Sequence, residues 1–205
     1  MSILTAKKTK SLPGRNIKRN VAHEVVSLDG MLTVEDWQEM PDTKPRYELI
    51  AGKLVQKKLK TLSQVAAAGE FLLQAANWGN RLGWNFLIEG VGVKLDSYNG
   101  VVPNLLGFSA HQKLAPQQNY VIAPFLAVDI SASQTDTIQL RRKAHLYEIG
   151  SVQLYLIIDT GNRTLEVFRL DENQYGAPEV LGGKDILQPQ ELPGLKLELK
   201  NLWMS

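Results

Sequence analysis

One carboxylate stands alone in the most apolar stretch of this 205-residue chain: Asp129, within Phe125-Leu126-Ala127-Val128-Asp129-Ile130-Ser131. A run that is apolar on both sides of a single acid reads as a strand covered on both faces. A charged carboxylate left there alone costs several kcal/mol, so Asp129 is expected to meet a cation, a hydrogen-bond donor or water near the end of its strand. Lys143 stands in Arg141-Arg142-Lys143 on the following helix, a run that reads equally as a solvated helix face. Asn104 follows Pro103, where a turn or strand exit also favours it. Glu48 lies between Tyr47 and Leu49 in an alternating strand, where a solvent-facing acid is the plain alternative.

Other chemistries find little support. The chain has no cysteine, which excludes disulfides, cysteine-bound zinc and a thiol nucleophile. His23, His111 and His145 have no metal-ligand spacing and read as surface or loop residues. There is no glycine-rich phosphate loop and no nucleophilic-serine motif.

The elements that must position these residues follow from periodicity. Thr33 caps a short helix within 31–40, and Ala51-Gly52 joins two strands, 46–50 and 53–58, into a hairpin. Helical spacing of Val65, Ala68, Leu72, Ala75 and Ala76 predicts a helix from Thr61 to about Asn80. Residues 87–95 read as one strand with a bulge at Gly90 or Gly92, and 101–108 as another with Pro103 at an edge or bulge. Residues 109–124 read as a loop. The strand at 125–131, a helix capped by Ser133 or Thr135 and ending at Gly150, and a strand at 152–158 predict a parallel pair joined by a right-handed crossover. An antiparallel neighbour at 164–170 and short edge strands at 179–181 and 195–197 complete a mixed central sheet flanked by helices, in the α/β class.

Composition limits the rest. With 205 residues and 44% hydrophobic content, the chain fits one domain with a substantial core. Residues 1–22 read as a disordered basic arm and 23–205 as the domain. Lys7, Lys8, Lys10, Arg15, Lys18 and Arg19 take six of the 23 basic residues, leaving 17 against 21 acids in the body, so the overall +2 hides a basic arm. No apolar run has the length a bilayer needs, and no cleavable leader pattern follows the first basic residues. The expectation is a soluble, cytoplasmic protein with no membrane partner.

The order and spacing of six blocks carry a resemblance: Leu32-Thr33-Val34-Glu35-Asp36-Trp37, 46–54, Val101-Val102-Pro103-Asn104, 125–130, 143–147 and 154–159. Together, over about residues 31–203, the chain resembles the Uma2 family, common in cyanobacteria and classed with the PD-(D/E)XK nucleases. The resemblance implies a restriction-endonuclease-like core, hydrolysis of nucleic-acid phosphodiesters, a divalent metal (Mg²⁺ or Mn²⁺), DNA as partner and a homodimer. In such a site two carboxylates hold the metal while a lysine steadies the developing negative charge. Carried across block by block, the metal ligands fall on Asn104 and Asp129, and the catalytic residues on Asp129, Lys143 and Glu48. Four residues converging at one edge of the sheet is the spatial expectation.

This sequence departs from the family pattern. Asn104 stands where the pattern has aspartate, Asp129 replaces a longer glutamate, Ala51 and Lys53 replace acids, and a histidine is missing around Gln64 and Val65. An amide oxygen can coordinate a metal but brings no charge to attract it. Three functions follow as expectations: a metal-dependent endonuclease, weakened at its first ligand; a nuclease-fold protein that binds or regulates without cutting; and a nucleic-acid binder acting through the basic arm.

Overall fold

A computed structural model describes residues 25–26, 30–40, 46–116 and 120–204. The basic arm expected over 1–22 lies outside them. β1 (Val25–Val26) precedes α1 (Val34–Gln38), which is fixed by a capping box: the Thr33 hydroxyl accepts from the Asp36 N–H, and the Asp36 carboxylate accepts from the Thr33 N–H. β2 (Tyr47–Ile50) and β3 (Lys53–Gln56) form the predicted hairpin, with Ala51 and Gly52 at φ 49° and 72°. α2 (Leu62–Gly79) begins in a second capping box, between Thr61 and Gln64.

Next come β4 (Asn85–Ile88), β5 (Gly92–Lys94), β6 (Gly100–Val101), β7 (Leu105–Phe108), β8 (Tyr120–Ile122) and β9 (Leu126–Ser131). α3 (Gln134–Ile149), capped by the Ser133 hydroxyl on the Asp136 N–H, leads to β10 (Leu154–Asp159) and β11 (Thr164–Asp171). β12 (Gln174–Tyr175), β13 (Glu179–Gly182), β14 (Ile186–Leu187) and β15 (Leu197–Glu198) finish the chain before a 3-10 turn at Leu199–Leu202.

The strands form two main sheets. The larger runs β12-β11-β10-β9-β7-β4, with β13 also on β11; the other runs β1-β3-β2-β6-β5-β8; β14 and β15 pair separately. β9 and β10 are parallel from Leu126↔Leu154 to Ser131↔Asp159, as the strand-helix-strand reading requires.

Two expected strands are each divided between the sheets. The run 87–95 turns at Glu89 and Gly90, both left-handed at φ 31° and 102°, so β4 pairs with β7 in the larger sheet while β5 pairs with β6 and β8 in the other. The run 101–108 breaks around Pro103, which has no N–H to donate, and passes from β6 in the second sheet to β7 in the first. Within the expected 109–124 loop, residues 120–122 form β8, whose partner β5 is remote in sequence.

Side-chain alternation places the site. Leu126, Val128 and Ile130 face a core shared with Ala67, Phe71 and Ala75 of α2. Ala127 faces the opposite core with Ala144 and Tyr147 of α3, so the period of two brings Asp129 beneath α3.

Trp37 anchors α1 to the second sheet by donating its indole N–H to the Tyr47 carbonyl at 3.0 Å and packing its ring against Gly92 and Gly100. A Cβ at Gly100 would lie 2.5 Å from the ring. Gly100→Ala is therefore expected to cost about 1–3 kcal/mol through overpacking, measured as a lower urea midpoint at unchanged m-value. Because Gly100 pairs with Leu49, the strain is delivered next to Glu48.

Candidate functional site

The Lys143 ammonium lies 2.9 Å from Glu48 Oε1 and 2.9 Å from Asp129 Oδ2, joining side chains from β2, β9 and α3. Their side chains are only 9%, 10% and 3% exposed for Lys143, Glu48 and Asp129, so the cluster is closed to bulk water. Glu48 Oε1 also accepts from the Val102 N–H at 2.8 Å and from Lys57 at 3.3 Å, and Lys57 donates in addition to the Val102 carbonyl. Asp129 Oδ2 accepts from the Tyr147 and Tyr155 hydroxyls at 2.9 and 3.2 Å. Tyr147 is one turn along α3 from Lys143, which explains why both reach the same carboxylate.

Asn104 is beside the cluster but turned to another task. Its backbone N–H continues the pairing with β9 at Val128 O (2.9 Å), and its Oδ1 accepts from the Ile130 N–H at 2.8 Å. Its Nδ2 donates to Glu89 Oε1 at 3.3 Å. The four expected residues thus gather at the seam between two sheets, under α3, rather than at a free edge. The seam exists because β2 belongs to the second sheet and the Val102-Pro103 crossing carries the chain into the first.

Several contributors escaped sequence reasoning. Tyr147 reads as part of the apolar side of α3, although its spacing of four from Lys143 was a usable signal. Lys57 reads as the end of a strand, Lys60 falls between that strand and the next helix, and Tyr155 reads as one more buried residue. Glu89 carried no signal, because its turn falls inside an expected strand. Gln64, where the family histidine is missing, ties its Nε2 to the Ile130 carbonyl at 2.7 Å, so that departure is close to the site. His111 and His145 are exposed, as expected, and His23 lies outside the described residues.

Burial alone would raise the Glu48 carboxyl, but the ammonium groups of Lys143 and Lys57 outweigh it and hold it down at about 2. Burial alone would lower Lys143, yet Asp129 and Glu48 hold it above its usual value. Burial, followed by the Asp129 charge, pushes both Tyr147 and Tyr155 well above the ordinary phenol range, so both remain O–H donors. The depressed acid contributes stability that is complete above its ordinary 4.5 and is lost as pH falls through about 2. The raised Lys143 contributes stability that is complete below 10.5 and is lost only above it. A urea midpoint falling on acidification below about 4.5 is expected, with Glu48→Gln less stable at neutral pH and lacking that part of the acid dependence.

The donors do not fit a divalent metal as they stand. Such an ion takes about six oxygen ligands, with carboxylates supplying the charge. Asn104 Oδ1 is committed to a backbone N–H, and the ammonium of Lys143 occupies the space between the two buried carboxylates. Lys57, Lys60 and Lys143 balance Glu48, Glu89 and Asp129. Among the described residues, no group of three or more His, Cys, Asp or Glu is placed to hold a metal ion. No helix among them is long and apolar enough to cross a membrane.

Mixed sheets flanked by helices define an α/β fold that a solved structure shares. The crystal structure titled "a putative nuclease belonging to DUF820" from Anabaena variabilis ATCC 29413 superposes with a TM-score of 0.70, covering 84% of this chain and 97% of that one at 21% identity. A family model described as "Putative restriction endonuclease" matches residues 34–200, and the chain belongs to that family, Uma2. No curated protein matches the chain.

Proposed function

We propose that this chain acts on nucleic acid as a Uma2-type endonuclease, with a phosphodiester of DNA bound over the buried cluster that Glu48, Asp129 and Lys143 form. The observation that carries this reading is the one ammonium held 2.9 Å from two buried carboxylates on different sheets. A fixed, permanently charged donor in a dry setting is the kind of group that stabilises charge developing on a phosphate. Glu48, pinned by the Val102 N–H and by Lys57, acts as a positioning residue for Lys143. Asp129, held by two tyrosine hydroxyls, fixes Lys143 from the other side. The Mg²⁺ or Mn²⁺ implied by the family resemblance needs a second charged ligand that Asn104 does not provide, so no step is assigned to it.

The test is cleavage of single- and double-stranded DNA with Mg²⁺, with Mn²⁺ and with chelator, for the natural chain and Asp129→Ala. Activity that drops to background in the variant is expected; equal rates would overturn the reading. The commitment of Asn104 Oδ1 to the Ile130 N–H favours a second reading, a nuclease fold that binds nucleic acid without cutting it. Salt-sensitive DNA binding with no cleavage under any of these conditions would establish that one instead.

A further inference from the structure

Next to the buried cluster, one carboxylate oxygen at the surface covers two buried donors. Glu89 Oε1 pairs with the Lys60 ammonium and accepts from Asn104 Nδ2 at 3.3 Å. The Lys60 side chain is 17% exposed and Glu89 47%, so the lysine sits inside and the acid at the rim. Asn104, the other partner of Glu89, is bonded to the Ile130 N–H beside Asp129, which places Lys60 next to the same cluster. Glu89 stands on the turn between β4 and β5 in the left-handed region, φ 31°, a backbone state that residues other than glycine rarely adopt. Its backbone N–H is fastened to the Asn104 carbonyl at 3.0 Å, so the side chain can swing outward without moving β7 or β9.

We propose that Lys60 and the Asn104 side-chain amide form an anion subsite that takes a non-bridging oxygen of a nucleic-acid phosphate, and that the Glu89 carboxylate is the competing occupant which the strand displaces into solvent. Two N–H donors converging on one oxygen suit a phosphate oxygen as well as a carboxylate oxygen. Charge makes the exchange favourable. With Glu89 in place, three lysines meet three acids; with Glu89 swung out, Lys57, Lys60 and Lys143 face Glu48 and Asp129 alone, an excess of one positive charge. A phosphodiester carries one negative charge, which matches that excess.

The inference deepens the proposed function and rests on a strand lying over this cluster, but it is read by binding rather than cleavage. The experiment is fluorescence anisotropy of a short labelled oligothymidylate over a salt series, without metal, with unlabelled inorganic phosphate as a separate competitor. Glu89→Gln, which removes the competing charge, is expected to tighten oligonucleotide binding about tenfold. Lys60→Met on that background is expected to reverse the gain and to lower the slope of log affinity against log salt by about one, while Lys60→Arg keeps both. The proposal is overturned if Glu89→Gln leaves affinity unchanged, if Lys60→Met leaves the salt slope unchanged, or if only inorganic phosphate responds to these changes. Absence of cleavage with these binding changes intact would defeat the nuclease reading and leave the subsite standing.

Discussion

Lys143→Met lowers the stability of the chain by about 3–5 kcal/mol at neutral pH, because it strands two buried carboxylates without the cation that both share. Methionine keeps the length of the apolar stem, so the loss measures the charge rather than a cavity. Lys57 still reaches Glu48, and the two tyrosines still reach Asp129, which keeps the effect from growing beyond this range. Glu48, no longer held down by Lys143, can relieve part of the penalty by taking up a proton, so the difference between variant and natural chain shrinks as pH falls toward 4. Urea unfolding at pH 7 and pH 4 measures both parts. Neutralising the partners as well, in a Lys143→Met, Glu48→Gln, Asp129→Asn triple variant, recovers most of the lost stability, since replacing a whole buried ion cluster costs far less than breaking it. A loss under about 1 kcal/mol for the single variant, the range of solvated pairs, would show that the cluster is open to water.

Asn104→Asp gives the largest functional change. One oxygen of the new carboxylate keeps the Ile130 N–H, and the other takes the place of Nδ2, which now donates to Glu89. Without metal the exchange removes a donor and sets a third acid near Glu89 and Asp129, at a cost of about 1–3 kcal/mol. With Mg²⁺ or Mn²⁺ the same charge supplies the second hard ligand that the natural chain lacks, and binding to the folded state returns stability by mass action. Calorimetry is expected to show a titratable site in the variant and none in the natural chain, and the variant's Tm to rise on adding metal. DNA cleavage is expected to increase on the order of a hundredfold, the size of a transition-state charge interaction restored. An unchanged metal titration would place position 104 outside any metal centre.

Much of this was legible along the chain. Thr33 and the Ser133/Thr135 pair announce two helices because capping is local chemistry, settled within four residues, and the helix from Thr61 is announced by its apolar spacing. The lone Asp129 announces a partner because an apolar strand cannot hold a bare charge, and the resemblance to the family implies that Glu48, Asp129 and Lys143 belong to one site. The orientation of Asn104 was not legible: an amide can face either way, and only the Ile130 N–H decides.

The sequence by itself therefore determined the helices and the parallel pair around α3, since caps and periodicity act through short-range sterics and burial, while the resemblance of its blocks to a family pointed to three members of the candidate site. Tertiary structure alone decided that two apparent strands are cut and shared between sheets, that Tyr147 and Tyr155 orient Asp129, and that Lys57, Lys60 and Glu89 complete the charge balance. Those choices rest on contacts between residues tens of positions apart, where the need to satisfy every buried charge and backbone group selects among arrangements that local propensity leaves equal.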